Sequence, residues 1–161
     1  MNLVRRTLIL GLVVGTSAVF AAGLSAQGDP AVGTWKLNLA KSKYNPASLA
    51  PKSQTVTIVA AGQGMKVNVQ GVDSDGKPIS TQYTATADGK DYPITGNADY
   101  DTASMKRIDA RTTEQTRKKA GKTVSTQKRV VAADGKTMTT TVSGTNAKGQ
   151  KFENTAVYDK Q

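Results

Sequence analysis

The chain has 161 residues, a formal net charge of +10, and neither cysteine nor histidine. Their absence rules out disulfides, Ser-His-Asp and Cys-His catalysis, and imidazole-held zinc. Hydrophobic residues make up 37% and aromatic residues 5%, a lean composition that suits one small core rather than several domains.

Met1–Thr7 carries Arg5 and Arg6, Leu8–Gly23 is uncharged and apolar, and Leu24-Ser25-Ala26 offers small residues before Gln27. Charged, apolar and small-residue regions in that order predict a cleavable secretion signal. We place it at residues 1–26, with one domain over 27–161. The apolar run, about 16 residues, is short for a bilayer core of about 30 Å and is broken by Gly11 and Gly15. Cleavage is therefore preferred to a retained anchor. The Arg5-Arg6 pair touches on a twin-arginine signal, but its charged region is short, which favours the general secretory route. The expectation is an exported protein, periplasmic or extracellular, with no integral membrane span after cleavage. Without cysteine, no lipid can be attached at the cleavage site.

Period-two alternation dominates the rest of the chain. Trp35, Leu37 and Leu39 alternate with polar neighbours, as do Val56, Ile58 and Ala60, then Met65, Val67 and Val69, then Ile79, Thr81, Tyr83 and Ala85, and finally Phe152, Asn154, Ala156 and Tyr158. Branched Thr and Val side chains favour the pleated conformation. The breaks carry hairpin residues: Ala61-Gly62-Gln63-Gly64, Asp75-Gly76, Asp88-Gly89, Ala120-Gly121, Asp134-Gly135 and Lys148-Gly149. Such pairs tolerate the positive φ of tight turns. The fold class is therefore all-β, an antiparallel up-and-down β-barrel of eight to ten strands preceded by a signal peptide. Lys41–Lys52, with Pro46 and Pro51, and Asp91–Thr102, with Pro93 and Gly96, are predicted as long loops at a barrel mouth. A faint echo links Gly76-Lys77-Pro78-Ile79-Ser80-Thr81-Gln82 to Gly121-Lys122-Thr123-Val124-Ser125-Thr126-Gln127; it reads as repeated hairpins rather than repeated domains.

The positive charge is local. Lys106, Arg107, Arg111, Arg117, Lys118, Lys119, Lys122, Lys128 and Arg129 face only Asp109 and Glu114 within that stretch. A basic surface over 106–129 would attract anionic envelope components. The stretch has no aromatic residue to stack bases, and export argues further against nucleic acid.

Catalytic machinery is missing from the pattern. Glu114 and Glu153 are the only glutamates, and several aspartates, among them Asp75, Asp88 and Asp134, sit beside glycine, as turn residues do. Asp73-Ser74-Asp75-Gly76 and Asp99-Tyr100-Asp101 bring carboxylates together but lack the spacing of a helical-hand calcium loop. Ser125-Thr126-Gln127-Lys128 spells Ser-x-x-Lys, which needs a helix to share a face; here the sequence favours a strand. No enzyme activity, cofactor or metal is expected.

Gly33-Thr34-Trp35-Lys36-Leu37 resembles the first strand of the lipocalin and fatty-acid-binding (calycin) superfamily, whose tryptophan plugs the closed end of the barrel. Phe152-Glu153-Asn154-Thr155-Ala156-Val157-Tyr158-Asp159-Lys160 resembles the last strand of fatty-acid-binding proteins. The chain is also similar to small secreted bacterial proteins that open on Gly-Thr-Trp-Lys-Leu. The resemblance implies that Trp35 plugs the barrel and that Tyr158 helps grip an anionic head group. It implies a second anchor at Lys128 or Arg129, a one-residue gap leaving open which. The family's arginine two residues before the final tyrosine is replaced by Ala156, and its helix pair after strand one has no room in Ala40–Gln54.

The resulting expectation is a non-catalytic, exported lipocalin-like barrel that binds a small lipid-like or amphipathic anion. Arg129, Lys128, Tyr158 and Tyr83 are the candidate ligand-binding residues, and Trp35 is structural. The rival is a filled barrel that docks anionic envelope components through its basic 106–129 surface. The sequence carries no signature of an oligomeric state, and it leaves open whether the barrel is hollow.

Overall fold

The computed structural model describes residues 28–146 and 148–161; the expected signal at 1–26 lies outside them. Eleven strands form one antiparallel sheet. They are β1 (Gly33–Leu37), β2 (Lys43–Asn45), β3 (Ser53–Ala61), β4 (Gly64–Val72), β5 (Pro78–Ala85), β6 (Asp88–Thr95), β7 (Thr102–Arg107), β8 (Thr112–Lys119), β9 (Lys122–Val131), β10 (Thr137–Thr145) and β11 (Lys151–Lys160). β1 pairs with both β3 and β11, so β1 and β3–β11 close into a ten-strand barrel. The short β2 pairs only with the mouth half of β11. One-turn 3-10 helices at Leu39–Lys41 and Ala47–Leu49 flank it. Closure removes the free edges that an open meander would leave.

One end of the barrel is sealed by packing. Trp35 is fully buried, as are Ile58, Met65, Met105 and Val131. The Trp35 indole Nε1 donates to the Ala31 carbonyl at 2.8 Å, and the Lys160 ammonium lies 5.0 Å from the ring centroid. Gly33 has φ +141°, and a Cβ there would stand 2.7 Å from the Lys160 side chain. The lysine end could swing aside, so it is the positive φ that favours the glycine of Gly-x-Trp. Beside this plug Arg107 forms an ion pair with the buried Asp29. The opposite end is the mouth, ringed by the β4–β5, β6–β7, β8–β9 and β10–β11 connections and by residues 46–52.

Two expected loops are more regular than proline content suggested. Lys41–Lys52 contains β2 and the 3-10 turn at Ala47–Leu49, and begins on the last residue of the turn at Leu39–Lys41. Asp91–Thr95 belongs to β6, so only 96–101 is a loop. Ile94 donates to the Asp101 carbonyl on the β7 side, so by alternation the Pro93 nitrogen faces β5. There the ladder consists only of Gln82–Thr95 and Tyr83–Ile94. Proline is tolerated because no donor is needed at that position. The β5–β6 register, Gln82 opposite Thr95 and Tyr83 opposite Ile94, centres that hairpin on Asp88-Gly89, and Gly89, at φ 79°, also lies in a register shift between β6 and β7.

The basic stretch is divided by strand alternation. Arg117 and Arg129 point inward. On the outer face the register lines up Asp88, Lys106, Glu114 and Lys128 across β6–β9, an alternating row of the kind that stabilises cross-strand neighbours. Lys118 pairs with Asp91 at 2.8 Å. The stretch is therefore not one continuous basic face. No helix among the described residues is long and apolar enough to cross a membrane.

Candidate functional site: a two-faced cavity

Between the plug and the mouth the barrel holds a cavity of about 610 Å³. That volume is within the range of small-molecule sites. Its walls differ. On β3 and β4, Val56, Val67 and Val69 present branched alkyl groups, because each strand alternates apolar residues inward. On β8 and β9, Gln115, Arg117, Gln127 and Arg129 point inward instead. Met138, Val142 and Phe152 extend the apolar side across β10 and β11.

A bulge decides which basic side chain enters. Lys118 opposes Thr123 and Arg117 opposes Ser125, so Val124 is the extra residue in β9. An inserted residue reverses the facing of everything beyond it. Beyond Val124 the inward set is Ser125, Gln127, Arg129 and Val131, all buried. Lys128 is on the outer face, exposed, opposite Glu114. Of the four candidate ligand residues, the structure brings Arg129, Tyr83 and Tyr158 to the cavity and leaves Lys128 outside it.

Arg129 is only 5% exposed. Its Nη2 donates to the Tyr83 hydroxyl at a long 3.4 Å, while its Nε and Nη1 have no partner. Among the described residues none of the ion pairs includes Arg129 or Arg117. Buried donors are normally satisfied, and a buried guanidinium without a counter-charge costs several kcal/mol. Arg129 therefore brings a charge and two spare N–H donors to the cavity wall.

Arg117 is better held. Its Nε donates to Gln115 Oε1 at 2.9 Å, its Nη2 donates to Gln127 Oε1, and its guanidinium lies 4.8 Å from the Tyr100 ring centroid. Gln115 keeps an unpartnered, buried Nε2. These glutamines and Arg117 were not singled out as site residues from sequence. The only signal for them was the polar inward register of β8 and β9, which the bulge conceals.

Tyr158 donates its hydroxyl to Gln54 Oε1. Burial pushes the Tyr158 phenol up, and the nearby positive charges of Arg117 and Arg129 pull the other way. Burial also raises the Tyr44 phenol to about 12. Both remain neutral hydroxyls at ordinary pH, and the Tyr158 proton is already taken by Gln54. Burial, and then the field of Arg129, lower the Arg107 guanidinium. Arg129 thus sits in a positive region behind which Asp29 is already engaged. Among the described residues no three acidic side chains gather where a metal ion could be held.

No family model matches the chain, and no curated protein matches its sequence. Solved structures do match its fold. The crystal structure of zebrafish ileal bile acid-binding protein complexed with cholic acid superposes with a TM-score of 0.51. The match is at 12% identity and covers 82% of this chain and 99% of that one. A redesigned β barrel, mFAP1, bound to DFHBI, aligns over 84% of this chain and 100% of that one, at 15% identity and a TM-score of 0.42. The closed ring of ten antiparallel strands, plugged by Trp35 at one end and hollow at the other, has the calycin-like barrel fold of the fatty-acid- and bile-acid-binding proteins.

Proposed function

We propose that this protein is an exported, non-catalytic carrier that sequesters one amphipathic anion inside its barrel. The apolar β3–β4 wall holds the hydrocarbon, and Arg129, with the Tyr83 hydroxyl beside it, holds the charged end; Tyr158 joins them only by giving up its bond to Gln54. The observation that carries the reading is Arg129: a buried guanidinium with two unpartnered nitrogens in a cavity whose other side is alkyl. Its charge-assisted bonds would form in a dry site, where such bonds are strongest. Export enters from the charged, apolar and small-residue order of residues 1–26. The bile-acid complex of the zebrafish protein is consistent with a barrel of this fold holding an amphipathic acid.

The test is displacement of an environment-sensitive anionic probe such as anilinonaphthalene sulfonate by a medium-chain carboxylate, at low and at physiological salt. Binding within the cavity predicts probe enhancement, stoichiometric displacement and little change with salt. Substituting Arg129→Met should weaken the carboxylate by about 10- to 100-fold, the worth of one to two charge-assisted bonds. A probe signal that never develops, or one that vanishes with salt and ignores the substitution, contradicts the carrier and favours contacts through surface lysines.

A further inference from the structure

One arginine is enough for a monoanion, and the cavity wall contains two. Arg117 and Arg129 both line it, and no carboxylate among the described residues pairs with either. Their roots are well separated: Arg117 opposes Ser125, and Arg129 lies four residues further along β9, about 13 Å at roughly 3.3 Å per residue. The side-chain contacts close that gap. The bonds from Arg117 to Gln115 and Gln127 bend its guanidinium toward the plug, because Gln115 and Gln127 oppose each other one inward step below it. The head of Arg117 therefore stands about 7 Å along the strand from the root of Arg129, one inward step of two residues. A group with several oxygens can bridge two guanidiniums set this way.

The unpartnered polar atoms on this wall agree with that reading. They are Arg129 Nε, Arg129 Nη1 and Gln115 Nε2. All three are N–H donors and none is an acceptor, so this wall suits a ligand rich in acceptors. Resting on the carrier reading above, we propose that the head group seated between Arg117 and Arg129 is a dianionic oxyanion of the phosphate monoester class, carried on a hydrocarbon that lies against the β3–β4 wall. Two charges on the ligand match two uncompensated charges on the wall. Arg117 is held ready by its two glutamines and Tyr100, so little side-chain entropy is lost when it binds.

The protein makes the test clean, because it has no histidine. The groups around the head are Arg117, Arg129 and, behind the plug side, Arg107 paired with Asp29. The phenols are Tyr44, Tyr83, Tyr100 and Tyr158, and the rim adds Asp73, Asp75, Asp99 and Lys148. Ordinary carboxylates, phenols, amines and guanidiniums do not titrate between about pH 5.5 and 8. Within that window the charge change belongs to the phosphate ester, whose second ionisation falls near pH 6.

Decyl phosphate and decyl sulfate share a chain and a tetrahedral head, but the sulfate stays a monoanion. Titrated below their micelle concentrations at pH 8, decyl phosphate should bind at least about 10-fold more tightly, the worth of one added charge-assisted contact. The advantage should shrink toward parity at pH 5.5. Arg117→Met should reduce the pH 8 preference to about 2-fold or less while decyl sulfate still binds through Arg129. Arg117→Lys should retain part of the preference. If either variant fails to fold, the wild-type ratio and its pH dependence decide alone. Equal binding of the two esters at pH 8 overturns the dianion and leaves the carrier standing; failure of both to bind overturns the carrier as well. Inorganic phosphate is the third arm. Weak competition by it assigns the head group to a lipid, whereas competition equal to decyl phosphate assigns the seat to free phosphate and overturns the role of the hydrocarbon.

Discussion

Across β3 and β4 the barrel turns Val56, Ile58, Met65, Val67 and Val69 inward, whereas across β8 and β9 it turns Thr113, Gln115, Arg117, Ser125, Gln127 and Arg129 inward. The first wall gains stability simply by leaving water, roughly 25 cal/mol for each Å² of apolar surface. The second gains nothing unless every donor is answered, and three of its nitrogens are not. A chain under selection for stability alone would fill β8 and β9 with valine. The contrast gives folding to one wall and, on the function proposed above, recognition to the other.

Substitutions should therefore separate the two walls by sign. The largest effect belongs to the apolar side: Ile58→Ala, at a fully buried position, should cost about 2–5 kcal/mol of unfolding free energy, read from the urea midpoint. Next, Arg129→Met should raise stability by about 1–3 kcal/mol, because a buried unpaired charge is replaced by alkyl, while anion binding falls. A destabilised Arg129→Met protein would show that this guanidinium supports the fold and would remove the contrast.

A smaller effect is expected where the polar wall turns at the mouth. Ala120 has φ 48° and Gly121 φ 78°, joining Lys119 directly to Lys122, as a two-residue hairpin with positive φ at both positions requires. Alanine is strained there, although the Asp101 carboxylate accepts from its N–H at 3.0 Å. Ala120→Gly should add about 1 kcal/mol in thermal or urea unfolding and leave binding unchanged.

The last effect is confined to alkaline pH. The Tyr44 and Tyr158 phenols are raised by burial, so above the ordinary tyrosine value the unfolded chain loses protons that the folded chain retains. Stability is then fully present below about pH 10 and declines as pH rises toward the folded value, about 12 for Tyr44. Urea midpoints between pH 9 and 11.5 should fall less steeply in a Tyr44→Phe, Tyr158→Phe double variant. An unaltered slope would mean that these phenols titrate freely.

The sequence made the apolar wall and the plug legible because both follow simple alternation. β1, β3, β4, β5 and β11 carry mostly apolar residues at alternate positions, interrupted at Thr81 and Asn154, and Trp35 occupies the closed end. The polar wall was harder to read. β7 and β8 turn Ala103, Met105, Gln115 and Arg117 inward, a set without apolar periodicity. The echo between residues 76–82 and 121–127 shows why. Thr81 is buried and Gln82 exposed, but Thr126 is exposed and Gln127 buried. Matching residues face opposite ways because β9 carries the Val124 bulge. That single inserted residue also selects Arg129 over Lys128, which no local pattern reveals.

The most direct test of the central claim is native mass spectrometry of the protein purified without detergent from its own host, beside its Arg129→Met variant. The account predicts one reproducible added mass that is released by organic solvent, bears an acidic head group and is absent from the variant. A bare polypeptide mass in the unsubstituted protein, together with failure to take up decyl phosphate or decyl sulfate, would contradict it.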